Sequence, residues 1–272
     1  VIYGWLDPKS KRKKKSVGFL LESCNKDFQF VDRGAKKLPK DATLLVSRGL
    51  LRGGSDFYKL ATKRKVDYVY MDNSLLDSIK QNNIYRSNVR LSVNSFVPRY
   101  KEDFIYRTGK WDVDKWIGAK GSYILIAPPS PPTMDITNSH DWLEDTIKKI
   151  RKVTDRQIVV RQKPTDQIRG SEEFSNNLET SIKNSYCFIT YSSSLICDAV
   201  KYGIPVHSPK EGFNFGFKLE DIETNNINIE QDRIKFLDFI LSHNMNHDDL
   251  KRGYAWKVVK HELKMLGSKN EF

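Results

Sequence analysis

The chain has 272 residues, 46 Lys+Arg against 34 Asp+Glu for a net charge of +12, and 39% hydrophobic residues, enough for one large or two modest domains. No stretch has the apolar length of a membrane span or of a signal-peptide core, so a cytoplasmic protein is expected. Cys24, Cys187 and Cys197 are an odd number without metal-ligand spacing, which speaks against a disulfide framework or a zinc module.

The positive charge is unevenly placed. Residues 1–120 hold 26 Lys+Arg and 13 Asp+Glu, whereas residues 121–272 hold 20 and 21, so the excess belongs wholly to the first half. Such a half attracts a polyanion with strong salt dependence.

In chain order, Val1–Trp5 predicts a strand, followed by a dense basic run containing Lys11, Arg12, Lys13 and Lys14 that reads as a solvated loop. Val17–Cys24 predicts a helix and Phe28–Val31 a strand. Ala42–Val46 predicts a strand ending at Ser47-Arg48-Gly49. Asp56–Lys65 has helical periodicity, Val66–Met71 predicts a strand ending at Asp72-Asn73-Ser74, and Arg90–Val97 alternates as a strand or extended loop. Aromatic residues crowd this half: Phe57, Tyr58, Tyr68, Tyr70, Tyr85, Phe96, Tyr100 and Tyr106. Most read as core, because Tyr68 and Tyr70 alternate with Val69 and Met71.

A linker is expected near Gly109–Gly121. Beyond it Tyr123–Ala127 predicts a buried strand, Pro128–Pro132 a rigid turn around Ser130, and Ser139–Val153 a helix. Gln157–Val160 predicts a strand ending at Arg161-Gln162-Lys163-Pro164, with a helix following within Glu172–Asn184. Cys187–Ile189 is a short apolar strand, Ser192–Ser194 a polar turn, Leu195–Tyr202 a helix, Gly203 its left-handed stop and Ile204–Val206 the next strand. The last helices are expected at Ile229–Leu241 and Asp248–Leu266. This alternation predicts an α/β fold of two Rossmann-like domains facing a cleft, residues 1–118 and 119–272. Ligands on such sheets sit beyond the carboxyl ends of the strands, where Ser130, Arg161, Lys163 and Ser192–Ser194 all fall. Serine hydroxyls and the positive end of a following helix favour phosphate there.

The stretch Ser192-Ser193-Ser194, Asp198-Ala199, Gly203-Ile204-Pro205-Val206 resembles the donor-binding signature of GT-B glycosyltransferases, with Asp where the family usually has Glu. Arg161-Gln162-Lys163-Pro164 resembles the Arg/Lys-Pro-His-Pro turn of the same domains, without its His. The resemblance implies a GT-B plan in which the serine turn, Arg161 and Lys163 hold a donor diphosphate and Asp198 meets ribose or sugar hydroxyls. In that plan the final helix crosses back to the first domain, with Trp256, Val259 and Leu263 as its apolar seam. Residues 66–96 more faintly resemble bacteriophage-encoded glycosyltransferase-like proteins that modify hydroxymethylated pyrimidines in DNA, through Asp72, Tyr85-Arg86, and Arg90 with Asn94.

Transfer needs the departing phosphates stabilised and, for inversion, a base for the acceptor hydroxyl. Asp72, at a strand end in the acceptor-side half, is either that base or the cap of an Asx turn. Arg48 ends the preceding strand and joins it as a candidate catalytic residue. Arg52, Arg86 and Arg90, with the basic run, are candidate acceptor or nucleic-acid contacts. Asp112-Val113-Asp114 has the form of a metal–diphosphate motif but sits in the linker, and no metal or other cofactor is expected. Walker A, Gly-x-Ser-x-Gly and Gly-x-Gly-x-x-Gly sequences are absent, which removes ATPase, α/β-hydrolase and classical dinucleotide readings. The expected partners are a nucleotide sugar and DNA. The alternatives are an acceptor in cell-envelope polysaccharide or lipopolysaccharide, or a non-enzymatic nucleic-acid-binding protein on a relict scaffold.

Overall fold

The computed structural model describes residues 1–6, 11–32, 35–50, 54–79, 87–161, 172–224 and 232–268. The expected α/β architecture holds, with two sheets, each flanked by helices. The first is built from β1 (Ile2–Leu6), β2 (Phe28–Asp32), β3 (Leu44–Arg48), β4 (Asp67–Asn73) and β5 (Val89–Val93), joined by β11 (Asn244–Met245), in the order β11-β5-β4-β3-β1-β2. The second comprises β6 (Tyr123–Ala127), β7 (Gln157–Val160), β8 (Ser185–Thr190), β9 (Val206–Ser208) and β10 (Phe215–Gly216), in the order β10-β9-β8-β6-β7.

The helices are α1 (Lys11–Glu22), α2 (Gly54–Arg64), α3 (Pro131–Thr137), α4 (Trp142–Ile150), α5 (Glu172–Lys183), α6 (Leu195–Lys201), α7 (Arg233–Ser242), α8 (His247–Lys251) and α9 (Tyr254–Met265).

Strand alternation divides the core. In β4, Val69 and Met71 join Leu20, Leu21 and Val17 of α1 in one buried cluster, while Tyr68 and Tyr70 face Phe57 and Tyr58 of α2 in another. The aromatic cluster is packed edge to face: Tyr58 lies 5.1 Å from Phe96 and 5.5 Å from Tyr70, the geometry that ring quadrupoles favour. In the second sheet both faces of β6 and β8 are covered, which explains why Tyr123–Ala127 reads as a continuous apolar run.

Several local readings are corrected. The basic run is no loop: Lys11–Lys15 open α1, because the apolar positions Val17, Leu20 and Leu21 draw the segment onto the sheet and the lysines continue the turn. β5 is antiparallel to β4, so the first sheet is mixed. The segment after β6 is a helix starting at Pro131, since proline at the first helical position needs no N–H donor. The last helix is broken into α8 and α9 at Gly253, whose φ of 79° leaves the helical region. Ahead of that break the chain has returned to the first sheet. β11 pairs with β5 (Met245 beside Val89), and Glu262 of α9 accepts from the Val93 amide at 2.8 Å. One continuous buried cluster, from Ile2 and Val69 to Phe188, Ile196 and Trp256, runs through both halves.

Candidate functional site

At the carboxyl ends of β3 and β4 three of the sequence candidates meet. β4 and β5 place Asp72 opposite Arg90 in register, and their side chains form an ion pair at 3.5 Å. The Tyr70 hydroxyl donates to Asp72 Oδ2 at 2.6 Å, and the Asn73 amide donates to Oδ1 at 2.8 Å. Burial pushes the Asp72 carboxyl up, but Arg90, the Tyr70 and Asn73 hydrogen bonds and Arg48 together hold it below the ordinary carboxylate value. It is therefore ionised at neutral pH and oriented by two side chains, with a third of its surface open. Arg48 is 6% exposed and points to the other face of the sheet, donating to Ser16 Oγ at 2.9 Å and Asn73 Oδ1 at 3.4 Å. Its role is to tie β3, β4 and α1 together.

The serine turn follows β8 and is braced from below. Thr190 Oγ1 donates to the Ala127 carbonyl of the neighbouring β6 at 2.8 Å and accepts from the Ser193 amide at 3.1 Å. Ser193 Oγ accepts from the Leu195 amide at 3.3 Å. That bond makes Ser193 the serine cap of α6, since Ser194 already has helical dihedrals, φ −61° and ψ −18°, and its own side chain caps nothing. With only seven residues, α6 also offers little dipole. What the turn does offer is backbone, because the amides of Ser192 and Ser194 have no hydrogen-bond acceptor among the described residues. These two amides, on either side of the committed Ser193 amide, are the donors the turn has left for an anion. Ser130 lies beyond β6, the next strand, and pairs its hydroxyl with Thr133 at 3.0 Å.

A cavity of about 120 Å³ lies between the halves at this turn. Tyr191, Ser192, Thr137 and Glu211 line it from the second half, and Tyr68, Asn94, Ser95, Phe96 and Arg99 from the first. Burial raises the Tyr191 phenol above its ordinary value; Thr137 opposes that shift, Glu211 adds to it and Arg99 lowers it. Both rim charges thus act on the same hydroxyl. Neither Arg99 nor Glu211 has an ion-pair partner among the described residues. In the sequence Arg99 adds only to the charge of the first half and Glu211 carries no signal, because their convergence is set by tertiary packing alone.

Two donor-side candidates are redirected. Asp198 is 4% exposed and accepts from Ser78 of the first half at 2.7 Å, beside a Lys201–Asp77 ion pair at 2.7 Å. It joins the two halves here and does not face solvent. Arg161 stands at the carboxyl end of β7, its amide donating to the Ile126 carbonyl at 2.8 Å, and its guanidinium runs back to Ser181 Oγ at 3.4 Å, close to Tyr123. Burial lowers its pKa, with Tyr123 opposing the shift.

Lys163, Arg52, Arg86 and Tyr85 lie outside the described residues, as do the side chains of Lys11, Arg12, Lys13 and Lys14. Asp114 of the linker Asp-x-Asp pairs with Lys183 at 3.4 Å. Among the described residues no group of three or more His, Cys, Asp or Glu is placed to hold a metal, and no helix is long and apolar enough to cross a membrane.

No protein-family model and no curated protein matches the sequence. Among solved structures, the chain is similar to the KpsC β-Kdo 2,4 transferase of Thermosulfurimonas dismutans, at 12% identity over 96% of this chain and 97% of that one, with a TM-score of 0.48. It is also similar to the UDP-GlcNAc 2-epimerase of Methanocaldococcus jannaschii, solved with UDP-GlcNAc and UDP, at 15% identity over 96% and 98% of the chains, with a TM-score of 0.29. At these values neither likeness bears on chemistry.

Proposed function

We propose that the chain is a glycosyltransferase of the GT-B type that moves a sugar from a nucleotide-sugar donor to a hydroxyl of a polyanionic acceptor. The observation that carries this reading is the serine turn at the end of β8, with its two uncommitted amides, opening onto a cavity walled by the other half. In the proposal the donor diphosphate lies against the amides of Ser192 and Ser194 and the hydroxyls of Ser130 and Ser192–Ser194. Lys163 is the cation that meets the charge of the departing nucleotide, in place of Arg161, which is engaged at Ser181.

Asp72 is the proposed base. It is ionised and aimed by Tyr70 and Arg90, and its low pKa makes it a modest proton acceptor that depends on proximity to the hydroxyl it serves. The +13 balance of the first half supports a polyanion there, with the basic start of α1, Arg52 and Arg86 as its proposed contacts.

DNA carrying hydroxymethylated pyrimidines is the first acceptor to test. One observation favours the second reading, an anionic cell-envelope glycan. Phe57, Tyr58, Tyr68, Tyr70 and Phe96, the rings that stacking on an extruded base would call for, are all buried in the aromatic core. The test is transfer of labelled sugar from UDP-, GDP- and ADP-sugars to hydroxymethylated duplex DNA and to a phosphorylated polysaccharide in parallel. Label in DNA supports the first acceptor and label in glycan alone the second. DNA retention that falls steeply with salt, without transfer or nucleotide binding, leaves only a nucleic-acid-binding protein.

A further inference from the structure

The segment that returns to the first sheet presents a cationic face. Ala255, Trp256, Val258, Val259 and Leu263 bury one side of α9 and leave the other open. At 3.6 residues per turn, Lys257, Lys260 and Lys264 fall within an arc of about 60° on that open side, and all three are exposed. None of them has an ion-pair partner among the described residues. The one acid of α9, Glu262, turns inward instead, accepting from the Val93 amide and meeting His243 Nε2 at 3.2 Å. The near-neutral balance of residues 121–272 conceals this stripe, because only folding separates its lysines from the acids of the second half.

Apolar side chains border the stripe. His261, at its edge, contacts the Tyr106 hydroxyl, and Met265 follows one turn later. Tyr106, Met265 and Leu266 are 44%, 50% and 45% exposed, three of the eight large hydrophobics left open among the described residues, so open apolar surface gathers beside the uncompensated lysines. Toward α1, Lys251 and Lys15 lie over the Phe19 ring at 4.5 and 5.7 Å and carry the positive charge past the end of α9. Lysine is a hydrated point charge on a long stem, suited to a diffuse anionic surface rather than to bidentate recognition of one phosphate. Lipid headgroups meet such charges while Tyr, Met and Leu enter the boundary beneath them. A nucleic-acid duplex offers phosphates to the lysines but no apolar layer to Met265 and Leu266.

We propose that the outer face of α9 docks on anionic lipid headgroups, with Lys257, Lys260 and Lys264 supplying the charge and Tyr106, Met265 and Leu266 a shallow apolar contact. This surface is separate from the candidate acceptor side. Glu262 fastens α9 at Val93, the end of β5 remote from Arg90, which pairs with Asp72. Neither the serine turn nor Asp72 takes part in it.

Flotation of the full chain with vesicles tests it, using phosphatidylcholine alone and equal parts of phosphatidylcholine and phosphatidylglycerol. The expected result is binding to the anionic vesicles only, falling steeply as salt rises. Lys257→Gln, Lys260→Gln and Lys264→Gln together are expected to weaken that binding about 100-fold, about fivefold for each charge. Lys149→Gln, Lys152→Gln and Lys218→Gln together, at exposed lysines of the second half, are expected to change it by less than about twofold. Met265→Ser with Leu266→Ser is expected to weaken it about tenfold and leave its salt dependence unchanged. All these positions are exposed, so unchanged melting temperatures will show that the variants fold. Absence of binding to the anionic vesicles, or equal losses from the two sets of lysines, overturns the proposal. It is also overturned if the Met265 and Leu266 changes leave vesicle binding intact while the α9 lysines carry retention on duplex DNA, since the face then serves a nucleic acid.

Discussion

Ser78, six residues beyond Asp72 on the first half, donates a hydrogen bond to the carboxylate of Asp198 on the second half at 2.7 Å. Burial raises the Asp198 carboxyl to about 7, with Ser78 and Lys201 opposing the shift and Asp77 adding to it. A raised folded-state pKa means that the folded protein binds a proton more tightly than the unfolded chain. The associated stability is complete below the ordinary carboxylate value and is lost as pH rises through about 7. Thermal unfolding is therefore expected to show a melting temperature several degrees lower at pH 8 than at pH 5, with Asp198→Asn removing most of that difference. An identical pH dependence in Asp198→Asn would contradict the assignment.

The corrected place of Arg161 yields a paired expectation. Arg161→Ala is expected to leave nucleoside diphosphate affinity within about twofold, because its guanidinium reaches Ser181 and Tyr123, away from the serine turn. Lys163→Ala is expected to weaken diphosphate binding about tenfold, the scale of a lost charge-assisted contact. Titration calorimetry on both variants checks the pair, and the reverse ranking would restore Arg161 to the donor site.

Asp72 supports a kinetic prediction. Asp72→Asn is expected to lower kcat at least about 100-fold with little change in donor affinity, the loss typical of a missing general base. Tyr70→Phe keeps the ring in the aromatic core but deletes the 2.6 Å bond that favours the carboxylate, so the Asp72 pKa rises. The acid limb of the pH–rate profile then moves to higher pH, and an unmoved limb would remove Asp72 from the titrating role.

Arg233 shows how the linker is fastened. It is 4% exposed and donates to the carbonyls of Val200, Asp114 and Lys201, each at 2.9 Å, so one guanidinium satisfies the carbonyls at the end of α6 and in the linker. Arg233→Met leaves the Asp114 carbonyl without a donor among the described residues, while Val200 and Lys201 keep the Gly203 and Asp114 amides, and is expected to cost about 2 kcal/mol. Chemical denaturation measures this directly, and a loss below about 1 kcal/mol would show that water replaces the guanidinium.

How much of this was legible in the sequence depends on the range of the forces involved. β6, β8 and the stop at Gly203 follow from local pattern: an apolar run, and a glycine at φ 72° whose added Cβ would lie 2.7 Å from the Lys115 carbonyl. The strand-end positions of Asp72 and Ser192 were also readable, since they need only the αβ alternation. The pairing of Asp72 with Arg90 was not, because it depends on β5 running antiparallel. Asp198 was placed by motif on the donor, yet its burial against Ser78 arises from contact between segments 120 residues apart. Arg99 and Glu211 carry no local signal, and only the packing of the two halves brings them to one opening.

The central claim is that a pyrophosphate lies against the Ser192–Ser194 turn. A crystal structure with a bound nucleoside diphosphate tests it most directly. The account predicts phosphate oxygens within hydrogen-bond distance of the Ser192 and Ser194 amides. A nucleotide bound elsewhere, with that turn untouched, would contradict it.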